Sequence, residues 1–265
     1  MAGIPKGWQV LEVGRRRALA WLPDTATRLM VSCHGGGDAG GWRCARQAAR
    51  LSALQASGEW ALVCPESRQV SLLDGRRVSV WAVPREGWRE LFAPDGGVEE
   101  DRVLCRVIRS RIISRYKGKA TKAALTGFSS GSGLVWDAAA ADDGWDAYGA
   151  VGGGLPLLLQ GAPPPERPVW FSMGTEDEGW SGKDARLSHA ATAEWLTQGA
   201  PQLLAEHAIQ PPPGGVLEAY SNGQGRSSVI GAYARGHEWP DDHGFDAGTA
   251  MVRAFEWLWA FGLIR

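Results

Sequence analysis

The sequence predicts an α/β fold with a mostly parallel central sheet, helices on both faces and an antiparallel strand pair at its start. Strand-like apolar runs alternate with helical patterns along the chain, which is typical of parallel strands joined by helical crossovers. The length of 265 residues suits one large domain with a substantial core. We therefore expect a single α/β domain over residues 1–265.

The individual elements follow from local composition and from the spacing of apolar residues. Short runs rich in β-branched and apolar residues predict strands at Gln9–Val13, Ala18–Leu22, Thr27–Cys33, Trp60–Cys64, Lys122–Thr126, Tyr148–Val151, Arg167–Met173, Val216–Ala219 and Val229–Tyr233. Helical spacing predicts helices at Arg43–Ala56, Val98–Tyr116, Ser132–Ala141, Ser188–Thr197 and Phe245–Phe261. The stretch Ser67–Gly97, with Trp81 and Trp88, predicts an irregular insertion beside the sheet, and long loops of this kind are often functional.

The pentapeptide GFSSG, Gly127 to Gly131, is the strongest functional signal in the chain. It fits G-x-S-x-G, and the run KAALT before it and SGLVWDAAAA after it indicate a strand and a helix. At such an elbow of an α/β-hydrolase, a sharp turn exposes the serine hydroxyl at the top of the sheet. Small residues flank the serine because larger side chains would collide where strand and helix meet. Ser129 is therefore the candidate nucleophile, and the alternative is a structural turn bounded by glycines.

Candidate acid and base residues follow Ser129 in the chain order of an α/β-hydrolase, which is serine, acid, histidine. The strand Arg167–Met173 runs into a loop that carries Asp177, and a later strand runs into His237. His237 would take the serine proton and return it to the leaving group, and Asp177 would orient the imidazole. The rival base is His243, and the rival acids are Glu176, Glu178 and Asp184.

A glycine run upstream predicts the oxyanion hole. His34-Gly35-Gly36-Gly37 follows the strand Thr27–Cys33, and glycines there let backbone N–H groups turn toward a developing oxyanion. The predicted donors are the N–H of Ser130 and that of Gly35 or Gly36. His34 itself is predicted to shape the loop through hydrogen bonds to nearby backbone. All these segments follow strands, and sites in open α/β sheets form at the carboxyl ends of strands.

Four motifs together resemble an esterase family that includes polyhydroxybutyrate depolymerases, feruloyl esterases and acetylxylan esterases. They are HGGG at 34–37, GFSSG at 127–131, GTED at 174–177 and GHEWP at 236–240, and they span most of the chain. The resemblance implies an α/β-hydrolase fold, with Asp177 as the acid and His237 as the histidine. Members of that family are often secreted and disulfide-bonded, and this sequence carries neither sign.

Composition argues against several other classes of function. The net charge of −1 gives no long-range field toward nucleic acid or an anionic membrane. No apolar run approaches the roughly 20 residues that cross a bilayer, and the amino terminus lacks an apolar signal core. The chain therefore reads as cytoplasmic, or as secreted with its signal removed. The four cysteines fit no metal spacing and are predicted to be buried free thiols: Cys33, Cys44, Cys64 and Cys105.

These observations predict a serine carboxylic ester hydrolase that forms an acyl-enzyme and uses no metal or cofactor. Its expected substrate is a small-molecule ester, a polyester or an acylated polysaccharide. Trp239, Trp42 and Trp180 each lie within a few residues of a predicted site loop, so at least one indole, Trp239 above all, is expected to border the substrate. A thioesterase or acyltransferase would use the same three residues. From another class, the alternative is an inactive α/β-hydrolase that serves as a binding protein.

Overall fold

The computed structural model describes residues 4–38, 42–71, 77–81, 98–117, 119–182, 186–198, 202–203, 215–221, 226–239 and 246–262. Its strands are β1 Gln9–Val13, β2 Arg16–Trp21, β3 Arg28–Cys33, β4 Gly37–Asp38, β5 Trp60–Pro65, β6 Arg68–Ser71, β7 Arg77–Val80, β8 Lys122–Phe128, β9 Ala147–Val151, β10 Val169–Gly174, β11 Gln202–Leu203, β12 Val216–Ser221 and β13 Ser227–Tyr233. Its helices are α1 Arg43–Arg50, α2 Ser52–Ser57, α3 Val98–Arg115, α4 Ser130–Ala140, α5 His189–Leu196 and α6 Ala247–Gly262, with a 3₁₀ turn at Leu157–Leu159.

A ten-stranded sheet forms the centre, in the order β1-β2-β5-β3-β8-β9-β10-β13-β12-β11. The six central strands, from β5 to β13, run parallel. The outer strands are antiparallel: β1 and β2 at one edge, β12 and β11 at the other. The predicted fold class, a mostly parallel sheet with an antiparallel amino-terminal pair, is thereby confirmed.

Helices cover both faces of this sheet, so its central strands are buried on both sides. Successive residues of β3 show the division: Leu29 and Val31 join one apolar cluster, while Met30 joins the other. The first cluster holds the buried faces of α3, α4 and α5, and the second holds those of α1, α2 and α6. Burial on both sides explains why the central strands read as continuous apolar runs rather than as alternating ones.

Two predictions about local structure were wrong. The helix expected over Arg43–Ala56 is broken at Leu51, whose backbone N–H turns back to the carbonyl of Ala48 at 3.1 Å. The stretch Ser67–Gly97 is not wholly irregular, because β6 and β7 pair with β4 as a three-stranded antiparallel sheet. Since β4 directly continues the glycine run, this small sheet is joined to the predicted oxyanion loop. Trp88 lies outside the described residues.

The four cysteines are buried free thiols, as predicted. Cys33 and Cys105 are neighbours in the core, with their sulfur atoms 4.0 Å apart. Burial, together with the neighbouring Cys105, raises the pKa of the Cys33 thiol well above its ordinary value, so it stays protonated and unreactive. Within the described ranges, no helix combines the length and apolar character that crossing a membrane requires.

Candidate active site

Strand register brings the predicted site loops to one edge of the sheet. Cys33 pairs with Gly127 at the ends of β3 and β8, so the HGGG loop emerges beside the GFSSG elbow. At the ends of β10 and β13, Gly174 pairs with Tyr233, so the loops that carry Asp177 and His237 also emerge together. Parallel pairing aligns these carboxyl ends, which is the edge where sites of open α/β sheets form.

Ser129 lies on the turn between β8 and α4 in a strained backbone conformation. Its φ of 54° and ψ of −112° are rarely adopted by a residue with a side chain. The turn is held by its N–H, which donates to the carbonyl of Val151 on β9 at 2.8 Å. Strain of this kind persists only where the surrounding structure fixes it, and it is concentrated at functional sites. The geometry is that of a strand-to-helix elbow.

Gly131 shows why the elbow needs small residues. A Cβ added there would lie 2.5 Å from the carbonyl oxygen of Cys33 and 2.8 Å from that of His34. The first turn of α4 therefore packs directly on the backbone that leads into the HGGG loop. This contact fixes the position of the elbow relative to the predicted oxyanion loop.

We expect Gly131→Ala to lower the free energy of unfolding by about 2 kcal/mol or more, because the methyl group must displace buried backbone. Activity should fall as well, since the elbow and the HGGG loop would separate. Gly161→Ala is the matched control: no atom lies within 4 Å of its added Cβ, so it should change the stability by less than about 1 kcal/mol. Chemical denaturation of the two variants measures the difference. Equal stabilities would contradict the close-packing argument.

Ser129, His237 and Asp177 form a continuous hydrogen-bonded chain. The Ser129 hydroxyl lies 2.7 Å from Nε2 of His237, and Nδ1 of His237 lies 2.7 Å from Oδ2 of Asp177. A carboxylate can only accept, so these partners assign the Nδ1–H tautomer, which leaves Nε2 to accept from the serine. An imidazole held this way can take the hydroxyl proton as the oxygen attacks an electrophile.

Asp177 is built to remain ionised. Its side chain is only 4% exposed, while the His237 side chain that it faces is 43% exposed. Burial by itself would raise the pKa of Asp177, but hydrogen bonds from His237 and from the N–H of Gly179 outweigh it, with help from the charge of Arg186. The net effect lowers the pKa of this carboxyl below its ordinary value. The carboxylate is therefore charged at neutral pH and can hold the imidazole in one tautomer.

Phe128, the residue before Ser129, packs beneath the imidazole. The two ring centroids are 5.1 Å apart, and a Cβ added at Gly35 would lie 2.8 Å from the Phe128 ring. Arg50, at the end of α1, places its guanidinium carbon 5.1 Å from the centroid of the same ring. Phe128 thus contacts the elbow, the HGGG loop and the His237 ring together. Sequence analysis did not single it out, because the variable position of G-x-S-x-G carries no signal of its own.

The HGGG loop lies against Ser129 and Ser130. Added Cβ atoms at Gly35 and Gly36 would lie 3.3 Å from the Ser129 Cβ and 3.3 Å from the Ser130 Oγ, respectively. The loop thus brings the backbone of both glycines next to the first turn of α4, where the Ser130 N–H begins the helix. An oxyanion hole made by Ser130 with Gly35 or Gly36 remains a prediction that this proximity supports.

His34 shapes this loop, as predicted. The buried ring donates through Nδ1 to the carbonyl of Gly35 at 2.7 Å and accepts at Nε2 from the N–H of Ser67 at 3.1 Å. Trp81 is fully buried and donates its indole N–H to the carbonyl of His34 at 2.8 Å. Ser67 and Trp81 both belong to the insertion after β5, so this insertion holds the HGGG loop in place through His34. Sequence analysis noted Trp81 but did not foresee this bond.

A cavity of about 560 Å³ opens beside Ser129 and His237. The described residues that line it are mainly polar, charged or glycine, and Met173 supplies the apolar side chain. Gly152–Gly154 follow β9, where the sequence shows a glycine run but indicates no role for it. The described residues that line the cavity are Ser129, Gly152, Gly153, Gly154, Met173, Glu176, Asp177, Glu178, Gly179, Arg186 and His237.

The three tryptophans expected at the substrate do not line this cavity. Trp239 is 1% exposed and packs edge-on against Phe128, with ring centroids 6.0 Å apart. Trp42 is half-buried beneath the guanidinium of Arg17, and Trp180 stacks on the His189 ring. Proximity in sequence to a site loop did not decide the side-chain direction: Trp239 buries its indole in the core, and Trp42 and Trp180 pack partly buried against it.

Trp239→Ala should therefore destabilise the protein instead of changing its choice among esters. Truncating a buried tryptophan costs roughly 3–5 kcal/mol of folding free energy. The kcat/KM values of acetate and bulkier esters should fall together, since the support under Phe128 is weakened for all of them. Trp42→Ala, at a half-buried position, is the control and should cost less. A selective loss for bulky esters at unchanged melting temperature would show instead that Trp239 contacts the substrate.

The rival acids and base are separated from the hydrogen-bonded chain or lie outside the described residues. Glu176 and Glu178 are exposed on the cavity rim, while Asp177 between them points inward to His237. His243 and Asp184 lie outside the described residues. Among the described side chains of the acid loop, Asp177 is the one that His237 contacts.

Comparisons with known proteins agree with the fold. No protein-family model matches the chain, and no curated protein sequence matches it. Solved structures do match: an acetyl xylan esterase from Aspergillus awamori has a TM-score of 0.60 at 13% identity, covering 94% of this chain and 98% of that one. A carboxylesterase from Bacillus cereus gives 0.58 at 12%, covering 93% and 95%. A cold-adapted esterase from an Arctic intertidal metagenomic library gives 0.56 at 14%, covering 93% and 92%. At these identities the likeness establishes the α/β-hydrolase fold, as the sequence predicted.

Proposed function

We propose that this protein is a serine carboxylic ester hydrolase of the α/β-hydrolase type. The observation that carries the proposal is the hydrogen-bonded chain from Ser129 through His237 to Asp177, which begins at a strained elbow and faces a cavity. A structural turn would need neither the strained serine nor a histidine aligned with it. The four motifs support the same class of chemistry, as do the carboxylesterase and the acetyl xylan esterase among the similar structures.

The reaction would proceed through an acyl-enzyme. Oγ of Ser129 attacks the ester carbonyl while Nε2 of His237 takes the hydroxyl proton, and Asp177 stabilises the imidazolium. The tetrahedral intermediate collapses as the C–O bond to the alcohol breaks, and His237 gives its proton to that alcohol. Water then repeats the sequence: His237 takes a proton from the water, and the hydroxide oxygen bonds to the acyl carbon. The bond from that carbon to Oγ of Ser129 then breaks, and Oγ takes the proton back from His237. The net products are one carboxylic acid and one alcohol per ester and water consumed.

The developing oxyanion would be held by backbone N–H groups. The Ser130 N–H and that of Gly35 or Gly36 are the proposed donors, which the packing of the HGGG loop against the elbow supports. One such donor typically contributes about 3–4 kcal/mol of transition-state stabilisation. Trp81 and His34 would support the loop indirectly through their hydrogen bonds.

Fluorophosphonate labelling combined with a substrate panel tests the proposal. We expect covalent labelling of the native protein and hydrolysis within a panel of graded p-nitrophenyl esters, methyl ferulate, acetylated xylan, polyhydroxybutyrate and an acyl-thioester. A protein that is neither labelled nor active on any member would be a binding protein with this fold. Turnover of the thioester alone, or transfer to added alcohols in place of water, would identify a thioesterase or an acyltransferase.

A further inference from the structure

Arg186 occupies the cavity beside the nucleophile. Its backbone pairs with Pro156 in an isolated antiparallel bridge, and the N–H of the next residue, Leu187, donates to the carbonyl of Leu155 at 2.8 Å. These bonds hold the start of the Arg186 side chain against the segment that follows the glycine run. The guanidinium then lies along the cavity wall.

The glycine run gives this guanidinium its room. A Cβ added at Gly153 would lie 2.9 Å from Nη1 of Arg186 and 3.1 Å from the carbonyl oxygen of Ser129, and it would also strike Oγ of Ser132. The Arg186 guanidinium and the Ser129 carbonyl thus both lie next to Gly153. A side chain at position 153 would push the arginine away from Ser129, which gives a physical reason for glycine there.

Among the described residues that line the cavity, Arg186 is the positively charged side chain. A guanidinium is planar, always charged and matched to a carboxylate, which it binds through two parallel N–H donors. Its five donors let it keep contacts within the protein and still bind a ligand. The long apolar or aromatic wall that a fatty-acyl or feruloyl group would need is missing from the described lining, where Met173 is the apolar side chain.

Three carboxylates of the same lining oppose an anionic ligand, but more weakly: those of Glu176 and Glu178 on the rim, and that of Asp177, whose oxygens accept hydrogen bonds from His237 and Gly179. Both glutamates are exposed, so water and salt screen them. Arg186 is less exposed than the two glutamates and would touch the ligand directly. Because Coulomb energy falls with distance and with the dielectric constant, the direct pair outweighs the repulsion from the two screened glutamates and from an Asp177 already paired with His237.

We propose that Arg186 is a specificity-determining residue that recognises a carboxylate on the substrate. The preferred substrates are half-esters of short dicarboxylic acids, in which a free carboxylate lies a few bonds from the scissile carbonyl. This inference rests on the proposed function, because it assigns the substrate class of the same site.

Monomethyl succinate and its neutral isostere methyl succinamate provide the test, since they differ in charge and hardly in shape. Both compounds are hydrolysed at the methyl ester. For the native protein, we expect kcat/KM for monomethyl succinate, the half-ester, to exceed that for methyl succinamate, the amide, by tenfold or more. Arg186→Met should reduce the half-ester value by roughly 10- to 100-fold, the range that a charge-assisted contact represents, and change the amide value by less than about threefold. Arg186→Lys should recover part of the preference. Free succinate should inhibit the native protein competitively and the Met variant much less.

The controls separate the possible failures. Arg235→Met removes an exposed positive charge that does not line the cavity, and it should leave the substrate ratio unchanged. Equal losses on both esters in Arg186→Met would show that Arg186 only supports Asp177, and a native ratio near one would overturn carboxylate recognition. In either case Ser129-dependent hydrolysis of the amide ester would keep the proposed function. A native protein that is neither labelled by fluorophosphonate nor active on either ester would contradict both the proposed function and carboxylate recognition by Arg186.

Discussion

Replacing Ser129 by alanine is expected to abolish ester hydrolysis and fluorophosphonate labelling while the protein stays folded. Loss of the nucleophile of a Ser-His-Asp site typically lowers kcat by roughly four to six orders of magnitude. The substitution removes a single hydroxyl that faces the cavity and leaves the backbone hydrogen bond to Val151 in place. Stability should therefore change by no more than about 1 kcal/mol, and the strained φ of 54° would be retained. Mass spectrometry of labelled protein and a thermal melt measure both parts.

Ser130→Ala is the matched control for this experiment. The Ser130 hydroxyl is buried and has no hydrogen-bond partner among the described residues, so its loss removes no polar contact there. The backbone N–H proposed for the oxyanion hole is kept. Ser130→Ala should therefore be labelled at Ser129 and retain most of the activity. A folded Ser129→Ala protein that is still labelled would place the nucleophile elsewhere.

The sequence could predict the site because each motif follows a strand that parallel pairing aligns. Gly127, one residue before the end of β8, pairs with Cys33 of β3, and Gly174, at the end of β10, pairs with Tyr233 of β13. The four site loops follow these four strands. Alternation of strands and helices predicts that sheet, and the sheet then brings loops more than 100 residues apart to one edge. His237 and Ser129, which are 108 residues apart, are thus in hydrogen-bond contact.

Side-chain direction was the part that the sequence could not supply. Trp239 is two residues from His237, yet its indole faces the core under Phe128 while the imidazole faces the cavity. Neighbouring residues in an irregular loop point in directions that depend on φ and ψ, which no periodicity encodes. Arg186 shows the converse. No motif marks it, and tertiary contacts such as the bridge to Pro156 bring it beside the nucleophile.

Local breaks were missed for a related reason. Composition alone gives Arg43–Ala56 one helical pattern, and no proline or glycine marks the break at Leu51. The short strands Arg68–Ser71 and Arg77–Val80 have too few residues for alternation to stand out. Their pairing with Gly37–Asp38 is a tertiary contact, so it follows from the position of the glycine loop rather than from either segment.

The second large effect is expected at His237 and Asp177. His237→Ala should reduce kcat by several orders of magnitude, because no other described group is within hydrogen-bond reach of the Ser129 hydroxyl to take its proton. Asp177→Asn keeps the shape but replaces an accepting oxygen by an amide, which no longer fixes the tautomer. Its kcat should fall by about four orders of magnitude or somewhat less. Glu176→Gln is the matched control, since Glu176 is exposed on the rim and should change kcat by less than about threefold.

The pKa of Asp177 adds a stability measurement to this prediction. Its pKa is lower in the folded protein than in the unfolded chain, where an aspartate titrates at about 3.9. The ionised carboxylate therefore stabilises the fold fully above that value, and this contribution disappears as the pH falls through the lower, folded pKa. Asp177→Asn should accordingly be less stable than the native protein at pH 6 to 7, and the gap should narrow below about pH 4. A gap that is constant from pH 7 to pH 3, or an Asp177→Asn enzyme as active as Glu176→Gln, would contradict an ionised Asp177 that orients His237.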